Sequence, residues 1–163
     1  MSLYFYQTDI GQIGIREQAG SITQLYFAGD QVPAACTLSE TPVQREAARQ
    51  LSSYLAGSLA EFTLPLAPAG TVFMQQVWTR LCEIPYGTTA SYQDIAVKIG
   101  KPQAARAVGL ANHRNPIPIF IPCHRVIGAN GSLTGYRGGL DLKQRLLALE
   151  QGRIVERSDY IGK

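Results

Sequence analysis

The stretch from Phe62 to Gly70 carries Pro65 and Pro68 among leucine and alanine, and it prevents one long helix or central strand from crossing the middle of this chain. Proline lacks an amide hydrogen and biases the residue before it away from helix. The segment therefore reads as a linker, and it divides the chain into an N-terminal lobe, 1–69, and a C-terminal lobe, 70–163. A chain of 163 residues is long enough for a small domain joined to a second lobe. No apolar run approaches the ~20 residues that span a bilayer. No basic start followed by an apolar stretch marks a signal peptide, so a cytoplasmic protein without membrane contact is expected.

The two lobes have different patterns. In the first, Leu3 to Thr8, Gln12 to Glu17 and Ser21 to Ala28 read as short strands, with turns at Asp9-Ile10-Gly11 and Ala19-Gly20. A helix is expected from Pro42 to Ala56, with Thr41 as N-cap and Gln44 completing a capping box. Its apolar stripe is Val43, Ala47, Leu51 and Leu55. In the second lobe, helices are expected over Val72 to Glu83, from the Ser91 cap onward, from Pro102 to about Asn112, and over Leu140 to Glu150. Two short helices joined at Gly100-Lys101 suggest a helix-turn-helix. The fold class is mixed α/β of the α+β kind: a small sheet-plus-helix lobe and a mainly helical lobe. Ile117 to Pro122 reads as an extended buried segment, and about a dozen residues at the C-terminus are expected to fray.

Charge is unevenly distributed. Residues 1–94 hold four basic and eight acidic residues, whereas the remainder holds eleven basic and four acidic. From Ile95 to Leu140 there is no Asp or Glu, but Lys98, Lys101, Arg106, Arg114, Arg125 and Arg137 are present. This is either a solvated basic surface or a face that binds a polyanion. Gln103, Arg106, Leu110 and His113 share one side of the second short helix, and Ala104, Val108 and Ala111 the other.

Cys36, Cys82 and Cys123 are odd in number and widely spaced, against a disulfide framework. Cys123 follows the apolar segment and precedes His124 and Arg125. By itself it is either a nucleophile or a buried structural cysteine. Adjacent side chains on a strand point apart, so His124 would act on it through a bridging water. Glu150 falls on an apolar stripe with Leu142 and Leu146, Leu149 lying alongside. It either snorkels from the helix end or is buried, and a buried carboxylate needs a partner. His124 is the obvious candidate, giving a Cys–water–His–Glu relay. No metal site is expected, since the cysteines and histidines lack zinc-ligand spacing. No cofactor motif is present either.

The block from Asn115 to Ile127, containing Pro122-Cys123-His124-Arg125-Val126, resembles the active-site signature of the O6-alkylguanine-DNA alkyltransferases. The likeness extends upstream through Tyr86-Gly87, Ser91-Tyr92 and Ala105 to Gly109, and downstream through Gly135 to Leu140 and Leu146 to Glu150. The resemblance implies direct, irreversible, single-turnover transfer of an alkyl group from O6-alkylguanine in double-stranded DNA to Cys123, with the damaged base flipped out. It implies that His124 and Glu150 ionise the thiol, that Asn115 braces the turn before it, and that Tyr92 gives a proton to the leaving guanine. Val126, Tyr136, Arg137 and Gly138 would line the base pocket. Arg106 would enter the duplex from the minor groove, with Gln103, Ala105 and Gly109 beside it. Asn112 and His113 lie between the second short helix and Asn115, where members of the family vary, and the resemblance assigns them no role. A monomer is expected in the absence of DNA. The rival readings are a lesion-binding module without transfer and a thiol hydrolase using Cys123, His124 and Glu150.

Overall fold

The computed structural model describes residues 1–152. They fall into two compact units, one from Met1 to Ala69 and the other from Gly70 onward. The expected fraying of the tail lies outside the described residues.

In the first unit, β1 (Ser2–Thr8), β2 (Gly11–Gln18) and β3 (Ser21–Phe27) form an antiparallel meander. The β2–β3 turn is tight because Ala19 and Gly20 both take positive φ, at 51° and 83°, the geometry of a two-residue hairpin turn whose twist matches its strands. A two-residue strand, β4 (Thr37–Leu38), pairs in parallel with β1 and completes the order β3-β2-β1-β4. Nothing in its composition announces it. Leu3, Ile13, Ile15, Ile22 and Leu25 are buried from the sheet.

Against these strands packs α1 (Pro42–Leu55). Its buried face is Gln44, Ala47, Gln50, Leu51 and Tyr54, whereas Val43 and Leu55 are only half-buried. The expected apolar stripe is thus rotated. Two glutamines take inward positions because each has work for its amide. Gln44 Nε2 donates to Ser2 O at 3.0 Å and Ile15 O at 2.9 Å, and its Oε1 accepts from Thr41 N at 2.8 Å. Gln50 likewise clasps Thr63 through both amide atoms. The linker is not slack either, since Ile22 N donates to Pro65 O and Ala67 N to Ile22 O, each at 2.8 Å.

The second unit contains α2 (Val72–Cys82), α3 (Tyr92–Lys98), α4 (Ala105–His113) and α5 (Leu140–Glu150). Ser91 and Asp94 cap α3 reciprocally, at 3.0 and 2.9 Å. Helix α4 starts three residues later than expected, at Ala105 rather than Pro102. Lys101 to Ala104 forms a turn instead, in which Ala104 N donates to Lys101 O at 2.9 Å, and Gln103 lies outside the helix. Gly100, at φ 76°, makes the corner between α3 and α4. Val108 and Ala111 face inward, and Trp78 Nε1 of α2 donates to Ala111 O at 2.9 Å. Residues 90–91 (β5) and 126–127 (β6) form a short parallel ladder that was not foreseen. Among the described residues no helix is long and apolar enough to cross a membrane.

Gln44 yields a direct test. Gln44→Met keeps its length but leaves Ser2 O, Ile15 O and Thr41 N without their amide partner. We expect a loss of about 3 kcal/mol of stability, read as a lowered urea midpoint of the first unit's unfolding signal. An unchanged midpoint would refute the assignment.

Candidate functional site

The segment before Cys123 is a compact turn rather than the extended run expected. Asn115 explains why. Its Oδ1 accepts from Ile117 N at 3.0 Å and its Nδ2 donates to Ile121 O at 2.8 Å. Ile121 N closes the loop on Ile117 O at 2.9 Å. Within it Ile119 holds φ at 74°, a strained conformation for a β-branched residue. Its side chain is buried, as are Ile117, Phe120 and Ile121. The apolar residues anchor the loop and the asparagine satisfies its backbone.

Cys123, His124 and Arg125 then form a single 3-10 turn, so the strand geometry assumed for this triplet does not apply. All three are buried, with Cys123 4% exposed and His124 fully enclosed. The thiol's surroundings oppose one another. Burial pushes its pKa up, whereas hydrogen bonding from Asn115 and the positive charges of Lys143 and Arg137 pull it down; burial prevails. A second asparagine, Asn112 on the last turn of α4, donates from Nδ2 to Cys123 O at 3.3 Å. It is buried, whereas His113 beside it is exposed.

His124 and Glu150 meet, with Nε2 2.7 Å from Oε2. Burial lowers the pKa of His124, and Glu150 only partly offsets this. With Nε2 turned to the carboxylate, Nδ1 is the ring nitrogen able to take a proton. Glu150 has a second partner that sequence did not reveal. Arg125 donates from Nε to Oε1 at 2.7 Å and from NH2 to Oε2 at 3.0 Å, and from NH1 to Ile84 O at 2.7 Å. A fork of this kind is the strong form of an ion pair. Gly87 fits over the end of α5, where a Cβ would come within 3.1 Å of Glu150 O, and its φ is 82°.

The inward face of α5 is Lys143, Leu146, Leu147 and Glu150, whereas Leu142 and Leu149 are half-buried. Leu146 and Glu150 face inward as expected, but Lys143 rather than Leu142 completes the stripe. Lys143 Nζ donates to Val126 O at 2.7 Å and Thr134 O at 3.0 Å, and burial lowers its pKa to about 8. Tyr136 is buried, and burial with Cys123 nearby holds its phenol well above the ordinary range. Arg137 and Gly138 are half-buried. The Tyr92 hydroxyl hydrogen-bonds Thr134 Oγ1. A Cβ added at Gly109 would lie 3.7 Å from the Tyr92 ring, so α4 passes directly over that phenol. Arg106, Leu110 and His113 are exposed on the outer side of α4, Gln103 is exposed in the turn before it, and Ala105 is half-buried. Among the described residues no three His, Cys, Asp or Glu side chains gather closely enough to hold a metal ion.

Residues 72–152 match the model of the 6-O-methylguanine DNA methyltransferase DNA binding domain. The chain is 64% identical over 110 residues to a methylated-DNA–protein-cysteine methyltransferase of Methanosarcina barkeri, covering 68% of this chain and 70% of that one. It is 47% identical to the constitutive methylated-DNA–protein-cysteine methyltransferase of Bacillus subtilis, over 89% of this chain and 92% of that one. The crystal structure of Mycobacterium tuberculosis OGT in complex with DNA superposes with a TM-score of 0.90 and 43% identity, over 98% of this chain and 99% of that one.

Two outcomes follow from this network. Glu150→Gln strands Arg125 and should cost about 3–5 kcal/mol, seen as a large fall in melting temperature. The depressed pKa of His124 gives a pH signature of known sign. The unfolded chain takes up a proton near the ordinary value of 6.5, which the folded state resists. This contribution to stability is present above about pH 6.5 and is lost as pH falls through the lower folded value. Urea midpoints should drop between about pH 7 and 5, and less steeply in His124→Gln. Equal slopes would mean that His124 is not the group responsible.

Proposed function

The chain belongs to the methylated-DNA–protein-cysteine methyltransferases, enzymes that repair DNA by alkyl transfer, and we propose that Cys123 is its alkyl acceptor. The observation that carries this reading is the buried sequence of contacts at the thiol: Cys123 and His124 on one 3-10 turn, with His124 2.7 Å from a Glu150 that Arg125 holds in place.

The chemistry follows from the groups. A buried thiol held above its ordinary pKa needs a base at the moment of reaction. His124 is kept from protonating by burial, so it can take the thiol proton through a water, and the Glu150 carboxylate stabilises the imidazolium formed. The sulfur attacks the O-alkyl carbon of a guanine rotated out of the duplex. A C–S bond forms, the C–O bond breaks, and the electron pair leaves with guanine. Tyr92 gives its phenolic proton to the guanine ring and makes it a better leaving group. The thioether does not revert, so each molecule acts once.

In this reading Asn115 holds the loop before the thiol, and Val126, Tyr136, Arg137 and Gly138 line the base pocket. DNA is the partner, and the basic C-terminal half suits it. We assign its minor groove to α4, where Arg106 fills the space of the flipped base and Ala105 and Gly109 permit close approach, with Gln103 contacting the duplex from the turn before the helix. Small side chains on that helix and the exposure of Arg106 support this docking. A cytoplasmic monomer in the absence of DNA fits the three free cysteines.

Intact-protein mass spectrometry after incubation with a duplex carrying O6-methylguanine tests the acceptor. One methyl group should appear on Cys123, and Cys123→Ser should stay unmodified yet bind the duplex. An unmodified mass for folded wild-type protein would overturn the reading. Arg106→Ala should slow transfer at least about tenfold with the melting temperature within about 2 °C of wild type. Parallel losses of stability and transfer would refute the placement of Arg106 at the duplex.

A further inference from the structure

Lys143 and Thr134 have no part in the steps above, yet they join its two ends. Lysine is almost never fully buried unless its ammonium is held. The Lys143 side chain is fully enclosed, and it donates to the carbonyls of Val126 and Thr134. Val126 opens β6 and pairs with Ala90, two residues before Tyr92. Thr134 lies between Ile127 and Leu140 in a stretch without helix or strand. Its backbone carbonyl is tied to Lys143, and its hydroxyl is tied to Tyr92. The two ties hold one residue by its backbone and by its side chain. A segment without regular structure is thereby fixed at the point where it meets the phenol.

We propose that Thr134 and Lys143 are positioning residues for alkyl transfer: Lys143 pins the Thr134 backbone so that the Thr134 hydroxyl holds the Tyr92 phenol in line with the leaving guanine. This rests on the reading of Tyr92 as proton donor. The chemistry asks for a hydroxyl at position 134. When the Tyr92 O–H bond breaks and its proton passes to the guanine ring, the phenolate oxygen becomes a strong acceptor. Thr134 can turn its own O–H toward that oxygen and donate a hydrogen bond while keeping its proton. Valine has the same shape and cannot. The Lys143 charge also lies near Cys123, where it lowers the thiol's pKa, so one ammonium serves the nucleophile and the proton donor together.

The test is the single-turnover rate at saturating duplex containing O6-methylguanine, with duplex affinity and the rate of Cys123 alkylation by iodoacetamide measured beside it. Thr134→Val is nearly isosteric and half-buried, so it should fold. We expect it to slow transfer about tenfold, with duplex affinity and iodoacetamide reactivity unchanged, and Thr134→Ser to restore the rate. In a double-mutant cycle, Tyr92→Phe with Thr134→Val should be no slower than Tyr92→Phe alone. Lys143→Met should lower both the transfer rate and the iodoacetamide rate. Should that variant fail to fold, the cycle at Tyr92 and Thr134 still decides. A wild-type rate in Thr134→Val beside a slowed Tyr92→Phe overturns this proposal alone, as do independent, multiplying losses. A wild-type rate in Tyr92→Phe removes the donor reading and this proposal with it.

Discussion

The carboxylate of Glu150, shared between the imidazole of His124 and the guanidinium of Arg125, is the interaction on which the second unit's architecture turns. A buried charge of this kind is tolerated only with its lone pairs occupied. Arg125 fills two of these positions and sends its remaining amine to Ile84 O, just past the end of α2. The 3-10 turn and α5 therefore meet at one carboxylate, and Arg125 ties the segment just after α2 to the same point. Gly87 approaches the backbone of the same residue from the side, where any Cβ would crowd Glu150 O and the positive φ would be strained. Arg125 also stacks over the Tyr86 ring, 5.7 Å from its centroid. Tyr86 and Gly87 thus both pack against the Glu150–Arg125 pair, the first on the guanidinium and the second on the backbone of Glu150.

That arrangement divides the electrostatics between two adjacent residues. Arg125 is the permanent counter-charge. His124 can stay neutral next to a carboxylate because burial outweighs the attraction of Glu150, and because the charges of Arg125 and Lys143 also disfavour its protonation. Were Arg125 absent, the Glu150 carboxylate would lack its counter-charge and would favour a protonated, cationic His124 in its place. A histidine already protonated could not serve as a base. In the proposed reading, the guanidinium thus helps to keep the imidazole neutral and able to act as a base.

Much of this was legible in the sequence, for identifiable reasons. Strands β1 to β3 are short runs separated by turns that carry Gly11 and Gly20. The capping residues Ser91 and Asp94 sit three apart, and α5 has the bounds its leucines suggest. Glu150 betrayed itself by standing where a leucine belongs. What could not be read were interactions whose cause lies far along the chain. The glutamines of α1 look like solvent residues until Ser2, Ile15 and Thr63 are brought to them. Lys143 looks like a surface lysine until the carbonyls of Val126 and Thr134 converge on it. The turn before Cys123 looked extended because its prolines hid a loop that Asn115 closes from outside the apolar run. Helix α4 was given three residues too many because proline suits a first helical turn as well as the irregular turn it occupies here.

Asn112 and Asn115 point to a consequence of how α4 ends. A helix laid on DNA bears mostly on its outer side, where Arg106, Leu110 and His113 are exposed. Its inner side terminates in two amides, one bonded to the Cys123 carbonyl and the other to Ile121 O, two residues earlier. Trp78 holds the same turn through Ala111 O. The backbone bearing the thiol is therefore fastened to the end of α4 by direct hydrogen bonds. A displacement of α4 relative to the core would have to stretch these bonds or carry the cysteine with it. Conversely, an alkyl group added to a thiol that is 4% exposed must find room among neighbours fixed to that same helix end. In the proposed docking, the outer side of α4 and the sulfur are thus linked through two asparagine side chains, and the strained Ile119, within the loop that Asn115 closes, marks where that loop has least freedom to yield.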